Sequence, residues 1–388
     1  MRKPLAVLIA VLVVIGGFAP MAVAGSSTGS VPTAQSTSDC EYPLTVTDAT
    51  GTEVTLEEPP ERIVALQPSD TKIVYGIGAE DRLVGMPINE YTASHDPGDR
   101  TDISIPDELH IDVETVIDLE PDIVLAADVT LEEDVEQLRD AGITVYHFKT
   151  ATSLDDVRDI TTRTGELTGE CGGAEERIDW MDERLEVIET ALEGEDRPLA
   201  FWSLGFGYTA GANTFQDEVL TTAGVDNLAA EVGLEGWPEI SDEVVVEEDP
   251  DWIIYGVNEE GEDPALSEGA MQTTAYENDQ LVAVDANTIN QPAPDVVYAI
   301  ETIVEAVHPE AYAEIEAELE GGIDADDEQT DDDQSNESEA DSDAETDDDE
   351  RDEENETADD GESEDSIPGF GVPAALAALV CLLGLRRL

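Results

Sequence analysis

The sequence predicts an α/β protein made of two Rossmann-like lobes that a single long helix joins. Three observations predict this fold: a helix-forming stretch near the middle of the chain, an internal repeat with one copy on each side of it, and strands that alternate with helices. Such alternation is typical of parallel sheets covered by helices. We therefore expect a cleft between two lobes of related design.

The central helix is predicted over residues 174–192. Its apolar positions recur three or four residues apart, which places them on one stripe of a helix: Ile178, Met181, Leu185, Ile188 and Leu192. Gly194 stands where a left-handed helix end is expected, and Pro198 prevents continuation. At about 1.5 Å per residue this helix is roughly 28 Å long, the width of a small domain. The periodicity fits an ordinary surface helix equally well, and the repeat favours a bridge.

The internal repeat aligns residues 111–125 with residues 240–254, at an offset of 129 residues. The identical pairs are Ile111 and Ile240, Glu114 and Glu243, Val116 and Val245, Pro121 and Pro250, and Asp122 and Asp251. Each copy predicts a short helix, a proline that ends it, and a buried strand rich in β-branched residues. Internal similarity of this kind indicates two structural units of related design.

Other elements follow in chain order. A hairpin is predicted over residues 44–56, strands over 62–66, 83–86 and 144–148, a helix from Pro68, a long loop over 91–106, and helix caps at Thr130 and Ser153. The second lobe has predicted strands over 199–202 and 281–284, a helix over 215–222, and closing helices over 295–307 and 311–319. Ligands of open α/β sheets bind at the carboxyl ends of the strands.

The first residues form a predicted secretory signal. Arg2 and Lys3 precede a long apolar run, and Ala22 and Ala24 form a small-x-small cleavage site. General secretion is therefore expected, which makes a disulfide between Cys40 and Cys171 feasible. Two buried free thiols are the alternative.

The charge is extreme, with 95 acidic against 16 basic residues and a formal net charge of −79. Of the acidic residues, 25 lie within 321–366 and 70 lie elsewhere, so the folded part is acidic too. Concentrated salt screens such self-repulsion to within about 3 Å at 1 M, which points to a haloarchaeal source. Nucleic acids are negatively charged too, so they are poor partners for this acidic surface.

Residues 321–366 are almost entirely polar and predict an extended, disordered stalk. Both N-x-S/T sequons, at Asn336 and Asn355, lie in this stalk and are candidate glycosylation sites, with chance occurrence as the alternative. The last residues, 367–388, resemble the archaeal PGF-CTERM sorting signal, with Pro368, Gly369 and Phe370 before an apolar stretch and a basic end. The resemblance implies cleavage by an archaeosortase and a lipid anchor in the membrane.

These features divide the chain into a signal peptide (1–24), an N-terminal linker (25–40), an N-terminal lobe (41–171), the interlobe helix (172–195), a C-terminal lobe (196–320), the acidic stalk (321–366) and the sorting segment (367–388).

No sequence motif argues for catalysis. The chain has no G-x-S-x-G, Walker, H-E-x-x-H or C-x-x-C motif, and the histidines at 95, 110, 147 and 308 lack the spacing of metal ligands. We expect a protein that is not an enzyme and holds neither a resident metal nor a cofactor.

Aromatic and amide side chains at strand-to-helix junctions are the candidate ligand-binding residues, since they suit a large, partly apolar ligand. They are Gln67, Ser69, Tyr91, Trp202, Phe206, Tyr208, Trp237, Tyr255 and Gln291. For Trp202 and Tyr255 a place in the core is an equal alternative.

Several motifs between residues 42 and 319 resemble the periplasmic binding proteins for vitamin B12 and ferric siderophores. They are TDATG at 47–51, PERIV at 60–64, GAEDRLVG at 78–85, LEPDIV at 119–124, GITV at 142–145 and ISDEV at 240–244. The resemblance implies the class III architecture, in which one long helix joins two lobes that move little. It also implies capture of a ligand by a monomer and delivery to the permease and ATPase of an ABC importer.

In such proteins one surface glutamate of each lobe meets permease arginines, and the matching positions are Glu114 and Glu243. Trp237 and Tyr91 resemble pocket residues of B12-binding members. Because Lys72 and Lys149 are the only lysines after the signal peptide, we expect cobalamin first and an uncharged ferric siderophore second. A surface structural or adhesion protein is the alternative from another class.

Overall fold

The computed structural model describes residues 40–105, 110–258 and 264–327, with side chains as far as residue 319. The signal peptide, the sequons at Asn336 and Asn355, and the sorting motif of Pro368, Gly369 and Phe370 lie outside these residues. The helices are α1 (Pro68–Gly76), α2 (Val113–Asp118), α3 (Glu132–Asp140), α4 (Leu154–Thr168), α5 (Cys171–Ala191), α6 (Phe215–Thr222), α7 (Leu228–Glu231), α8 (Asp242–Glu248), α9 (Thr274–Glu277), α10 (Ala286–Ile289), α11 (Val296–Val307) and α12 (Pro309–Asp327).

The strands form two parallel sheets and one antiparallel hairpin. They are β1 (Leu44–Thr47), β2 (Glu53–Leu56), β3 (Ile63–Ala65), β4 (Leu83–Met86), β5 (Thr101–Asp102), β6 (Ile123–Ala126), β7 (Val145–His147), β8 (Leu199–Ser203), β9 (Asp226–Asn227), β10 (Trp252–Val257) and β11 (Leu281–Asp285). The hairpin pairs β1 with β2, and short 3₁₀ helices occupy Glu80–Arg82, Glu90–Thr92 and Ala270–Gln272. The sheets confirm the α/β class predicted from the sequence.

The N-terminal sheet has the strand order β5-β4-β3-β6-β7, with helices on both faces. Its central strands bury successive residues on opposite sides, as a doubly covered sheet requires. Ile63 and Ile123 pack into the cluster that also contains residues of α1, α4 and α5, whereas Val64 and Val124 pack toward α2 and α3. The core of this lobe therefore consists of two layers, one on each face of the sheet.

The C-terminal sheet repeats this arrangement with the strand order β11-β10-β8-β9. The strand β8 takes the place of β3, and β10 takes the place of β6, so the two copies of the sequence repeat occupy equivalent positions. Asp122 accepts the backbone N–H of Arg62 at 2.9 Å, and Asp251 accepts that of Leu199 at 3.0 Å. Each aspartate of the repeat thus fixes the start of the central strand of its own lobe.

The helix α5 begins and ends close to the predicted bounds. Ala174 near its start packs into the N-terminal core, and Met181, Leu185 and Ile188 pack into the C-terminal core. Gly194 has φ +95°, the left-handed conformation expected of a helix end. One helix therefore contributes to both cores, which ties the lobes together through packing as well as through the chain.

Three local predictions differ from the structure. Thr130 does not cap α3, because the helix begins after Leu131 and the Thr130 hydroxyl is buried without a hydrogen-bond partner. The loop predicted over residues 91–106 contains the short strand β5, which pairs with β4. The helix α12 extends to Asp327, past the predicted start of the stalk. In contrast, Ser153 caps α4 as predicted, accepting the N–H of Asp156 at 3.0 Å.

A disulfide joins Cys40 to Cys171, with their Cα atoms 5.4 Å apart. It attaches the segment before the hairpin to the first residue of α5 and closes a loop with a sequence separation of 131. A cross-link over a loop of this length restricts the unfolded chain strongly.

We expect the Cys40→Ser/Cys171→Ser double variant to lose about 3 kcal/mol of unfolding free energy, because the unfolded chain regains the freedom that the disulfide removes. Denaturant titration in concentrated KCl measures this loss. The wild type in reducing agent should match the variant, whereas the variant itself should not respond to reductant. Equal stability of variant and oxidised wild type would contradict a disulfide-bonded native state.

Among the described residues, no helix combines the length and apolar character needed to cross a membrane.

Candidate functional site

Most of the predicted ligand-binding residues lie at the carboxyl ends of the two sheets. Gln67 and Ser69 follow β3, and Tyr91 lies in the segment after β4. In the other lobe Phe206 and Tyr208 follow β8, Tyr255 lies near the end of β10, and Gln291 follows β11 and α10. Open α/β sheets bind ligands at this edge, and one contact, between Gln291 and Tyr91, joins predicted residues of the two lobes.

The two lobes touch at the base of the cleft. The Nζ atom of Lys72 in α1 donates to the main-chain oxygen of Asn287 in α10 at 2.8 Å. The Nε2 atom of Gln291 lies 3.5 Å from the main-chain oxygen of Tyr91. Each contact joins an N-terminal residue to a C-terminal residue, so the cleft is closed at this end by polar groups.

Lys72 is the cationic group of this junction. Burial lowers the pKa of Lys72 to about 8; the carboxylate of Asp285 opposes this shift, and the Arg177 guanidinium adds to it. Burial, followed by the charge of Lys72, also lowers the pKa of His95. The Nε2 atom of His95 is buried without a partner, and its ring stacks on Tyr75 with centroids 4.5 Å apart.

A hydrogen-bonded relay holds the indole ring of Trp237. Its Nε1 atom donates to Oε1 of Gln216 at 3.2 Å, and Nε2 of Gln216 donates to Oδ1 of Asn290 at 3.1 Å. Gln216 is only 5% exposed, so its amide is fixed inside the lobe, while Trp237 is half-buried. The relay therefore orients an aromatic face that remains partly available to a ligand.

A cavity of about 400 Å³ lies beside Phe206 in the C-terminal lobe. Its walls are formed by Phe206, Gly207, Ile240, Asp242, Ala265, Leu266 and Ser267. Phe206 is 71% exposed and lies between Gly205 and Gly207, all three with positive φ. The flanking glycines adopt this conformation without a steric penalty, and the sharp turn leaves the aromatic ring at the surface. An exposed aromatic ring beside a cavity is a candidate contact for an apolar ligand.

Trp202 is not part of the site, which corrects the prediction for this residue. It is 1% exposed and packs into the cluster formed by residues of α5, α6 and α11. Since both faces of β8 are covered by helices, the side chain of Trp202 points into a core layer and is inaccessible to a ligand.

The other predicted residues differ in exposure. Ser69 is largely buried in the first turn of α1, whereas Tyr208 and Tyr255 are half-buried.

Glu114 and Glu243 occupy equivalent places on the two lobes. Each is the second residue of its helix, α2 or α8, and each side chain is exposed. The caps match as well, since Asp112 accepts the N–H of Thr115 at 3.0 Å and Ser241 accepts that of Val244 at 3.4 Å. The repeat thus places one carboxylate on each lobe in the same local geometry.

Asp70 is a buried carboxyl group in the first turn of α1, next to Ser69. Its Oδ2 atom accepts the N–H groups of Gln67 at 3.1 Å and Ala127 at 3.0 Å. Burial raises the pKa of Asp70 to about 7, against the lowering effect of these two hydrogen bonds. Between pH 4 and 7 the folded state therefore keeps a proton that the unfolded state releases, so raising the pH through this window removes stability.

We expect Asp70→Asn to abolish this pH dependence, because a neutral amide oxygen still accepts both N–H groups. The variant should gain on the order of 3 kcal/mol over the wild type above pH 7 and little near pH 4. Chemical denaturation at a series of pH values measures the difference. Asp118→Asn makes the same change on the exposed surface of α2 and serves as the control. A difference between Asp70→Asn and wild type that stays constant with pH would contradict the assignment.

Several residues of this region escaped prediction from the sequence: Lys72 as a junction residue, His95, Gln216, Asn287 and Asn290. The amide-rich segment at 287–291 was the available signal, since two asparagines and a glutamine follow a predicted strand. Within the described ranges no three His, Cys, Asp or Glu side chains converge as metal ligands.

Comparison with known proteins identifies the family. Residues 63–288 match the model of a periplasmic binding protein family, and the chain belongs to this family. A cobalamin-binding protein of Halobacterium salinarum is 37% identical over 281 residues, which cover 69% of this chain and 75% of the relative. The protein is thus a solute-binding protein, of a family whose members serve as the extracytoplasmic components of ABC importers.

Solved structures agree with the class III architecture. The vitamin B12-binding protein BtuF of Vibrio cholerae has a TM-score of 0.54 at 22% identity, covering 64% of this chain and 96% of that protein. A protein of an ABC-type Fe3+-hydroxamate transport system from Saccharomonospora viridis has a TM-score of 0.56 at 25% identity, covering 69% of this chain and all of that one. These similarities establish the two-lobed fold.

Proposed function

We propose that this protein captures a corrinoid, cobalamin, between its two lobes outside the cytoplasm and delivers it to the permease of an ABC importer. The observation that carries the proposal is the 37% identity, over 281 residues, to a protein that is described as cobalamin-binding. The chemistry of the cleft supports the same ligand.

The cleft offers aromatic and amide groups rather than a cluster of positive charges. Trp237 and Phe206 supply aromatic surface, and Tyr91 and Gln291 supply polar groups from the two lobes. A corrinoid ring system presents a broad, partly apolar face with amide side chains, which suits such walls. A polyanionic ferric chelate would need several free cations, whereas Lys72 already donates to Asn287 and Arg177 is paired with Asp295.

An uncharged ferric hydroxamate is the second candidate ligand. The similarity to the Fe3+-hydroxamate transport protein of Saccharomonospora viridis favours it, at 25% identity over 69% of this chain. Its neutral charge is compatible with the same aromatic and amide groups. Competition between the two ligands therefore separates the candidates.

We assign the contact with the permease, which delivery of the ligand requires, to Glu114 and Glu243. Both are exposed on helices that the internal repeat relates, so a permease with arginines at two matching points would contact both lobes at once. Ion pairs of this kind act at contact distance, where concentrated salt screens them least. The partners would be the permease and the ATPase bound to it.

The ends of the chain fit a protein anchored at the cell surface. A cleaved signal peptide, a glycosylated acidic stalk and a lipid attached after archaeosortase cleavage at Pro368, Gly369 and Phe370 would tether the lobes near the permease. The same ends suit an adhesion protein, but such a role gives no reason for two lobes with a cleft.

Uptake of radiolabelled cyanocobalamin by a strain from which the gene is deleted tests the proposal. We expect uptake at nanomolar cyanocobalamin to be lost and to return with the intact gene. Unchanged uptake in the deletion strain, together with a loss of ferric hydroxamate uptake, would overturn cobalamin in favour of iron. Loss of neither would overturn the importer proposal.

A further inference from the structure

The direction of the relay behind Trp237 is fixed by chemistry. An indole N–H only donates, so the atom of Gln216 that faces it at 3.2 Å is the amide oxygen. The amide nitrogen of Gln216 consequently donates to Oδ1 of Asn290, 3.1 Å away. The remaining polar atom of Asn290 is its amide nitrogen, which is a donor.

The orientation of Gln291 is fixed in the same way. Its Nε2 atom lies 3.5 Å from the main-chain oxygen of Tyr91 and 3.4 Å from Oδ1 of Asn287. Reversing the amide would place an oxygen against the main-chain oxygen of Tyr91, which can only accept, so the nitrogen belongs on this side. The other atom, Oε1, is buried and has no hydrogen-bond partner, in a residue that is only 9% exposed.

An unpartnered, buried amide oxygen costs free energy unless a donor reaches it. Lys72, which donates to the main-chain oxygen of Asn287, brings an ammonium group with three N–H donors to the same junction. The segment 287–291 and the lysine bonded to it thus carry donors, on Lys72 and Asn290, and a free acceptor, Oε1 of Gln291. A ligand group that both accepts and donates completes this set.

A primary carboxamide has this property, because its oxygen accepts from a donor and its nitrogen donates to Gln291 Oε1. A carboxylate has only acceptors, so it would leave Oε1 unpaired and facing another oxygen. We propose that the carboxamides of Asn287, Asn290 and Gln291 form a recognition wall that selects ligands with peripheral amides over ligands with carboxylates. This inference rests on the proposed function and specifies the chemistry of its ligand.

Gln291 is the specificity-determining residue of this wall, and Gln216 is a positioning residue that acts through Trp237. Cobalamin carries primary amides around its ring, whereas haem carries two carboxylates. The wall therefore favours a corrinoid over haem, although both are large, flat, metal-containing rings.

Calorimetric titration of the protein in multimolar KCl tests the proposal, with cyanocobalamin and with the monocarboxylic acids made by hydrolysing one of its amides. We expect the wild type to bind cyanocobalamin about tenfold more tightly than the monocarboxylic acid in which the contacting amide is lost. Gln291→Met, which keeps the length of the side chain, should reduce this preference to about twofold. Gln137→Met makes the same change on the exposed surface of α3 and should keep the wild-type preference.

A second pair of variants keeps the test valid if Gln291→Met unfolds. Gln216→Met should weaken both ligands alike by about fivefold, because it releases Trp237 without altering Gln291. Gln216→Glu should restore part of the affinity, since its carboxylate still accepts the indole N–H.

Two outcomes would overturn the inference: a folded Gln291→Met variant with the full wild-type preference, or a wild type that binds haemin or the carboxylic acids more tightly than cyanocobalamin. Failure of the proposed function is distinguishable, because it appears in the wild-type titration with cyanocobalamin alone. Failure of the inference on its own appears when cyanocobalamin binds tightly and Gln291→Met behaves like Gln137→Met.

Discussion

Replacing Glu114 and Glu243 together by alanine is expected to reduce cobalamin uptake about a hundredfold or more while leaving ligand affinity unchanged. Each glutamate lies exposed in the first turn of its helix and belongs to no cleft wall. Removing a carboxylate that pairs with a permease arginine leaves that arginine unpaired in the interface, which typically costs 2 kcal/mol or more per pair. Two such losses at once would prevent productive docking.

Radiolabelled uptake and calorimetric titration of the same variant separate docking from binding. The double variant Glu186→Ala/Glu189→Ala is the control, because it removes the same charge from the exposed face of α5. Each single variant, at Glu114 or Glu243, should show an intermediate loss. If the Glu114→Ala/Glu243→Ala variant transports cobalamin as well as the control, these two glutamates do not dock the permease.

Replacing Trp237 by alanine is expected to have the largest effect on ligand affinity, about a hundredfold. Its ring is half-buried and held by Gln216, so it meets a ligand without first losing conformational freedom. Rigid tryptophans of this kind often contribute 2 kcal/mol or more to binding. The structure of the lobe should persist, because Trp237 lies at the edge of the core and not within a strand.

Trp252→Ala provides the matched control for this experiment. Trp252 begins β10 and therefore lies at the amino end of the sheet, opposite the cleft. Its loss should lower stability through packing while affinity stays within twofold of wild type. Affinities that fall equally in the two variants would indicate a general loss of structure and would remove Trp237 from the site.

The fold could be predicted because local patterns of apolar residues and an internal repeat in the sequence indicate it. The stripe of Met181, Leu185 and Ile188 predicted a helix, the flanking repeat favoured a bridge between two lobes, and these residues do pack into the C-terminal core. The aspartates Asp122 and Asp251 pointed to equivalent strand starts, and each accepts a backbone N–H at that place. Such signals depend on neighbours in sequence or on an internal copy.

Trp202 shows where this kind of prediction fails. It lies near the carboxyl end of a strand, where a ligand contact is reasonable, but both faces of β8 are covered. A strand that is buried on both sides carries no alternation from which the direction of a side chain could be inferred. Thr130 failed as a cap for another reason, because α3 begins one residue later, after Leu131, and the Thr130 hydroxyl is buried without a hydrogen-bond partner.

The polar contacts at the base of the cleft could not be predicted from the sequence, because each joins residues that are far apart in the chain. Lys72 and Asn287 are 215 residues apart, and Tyr91 and Gln291 are 200 residues apart. Neither pair belongs to the repeat, so no internal copy marks them. The amides of Gln216 and Asn290 likewise acquire a role only when folding brings α6 against the segment after α10.

Calorimetric titration of the protein with cyanocobalamin in multimolar KCl measures whether the protein binds a corrinoid. Concentrated salt is needed because the chain carries a formal net charge of −79. We expect one site with nanomolar affinity, and a ferric hydroxamate at the same concentration should fail to displace the corrinoid. No heat with cyanocobalamin and tight binding of the ferric hydroxamate would contradict this expectation.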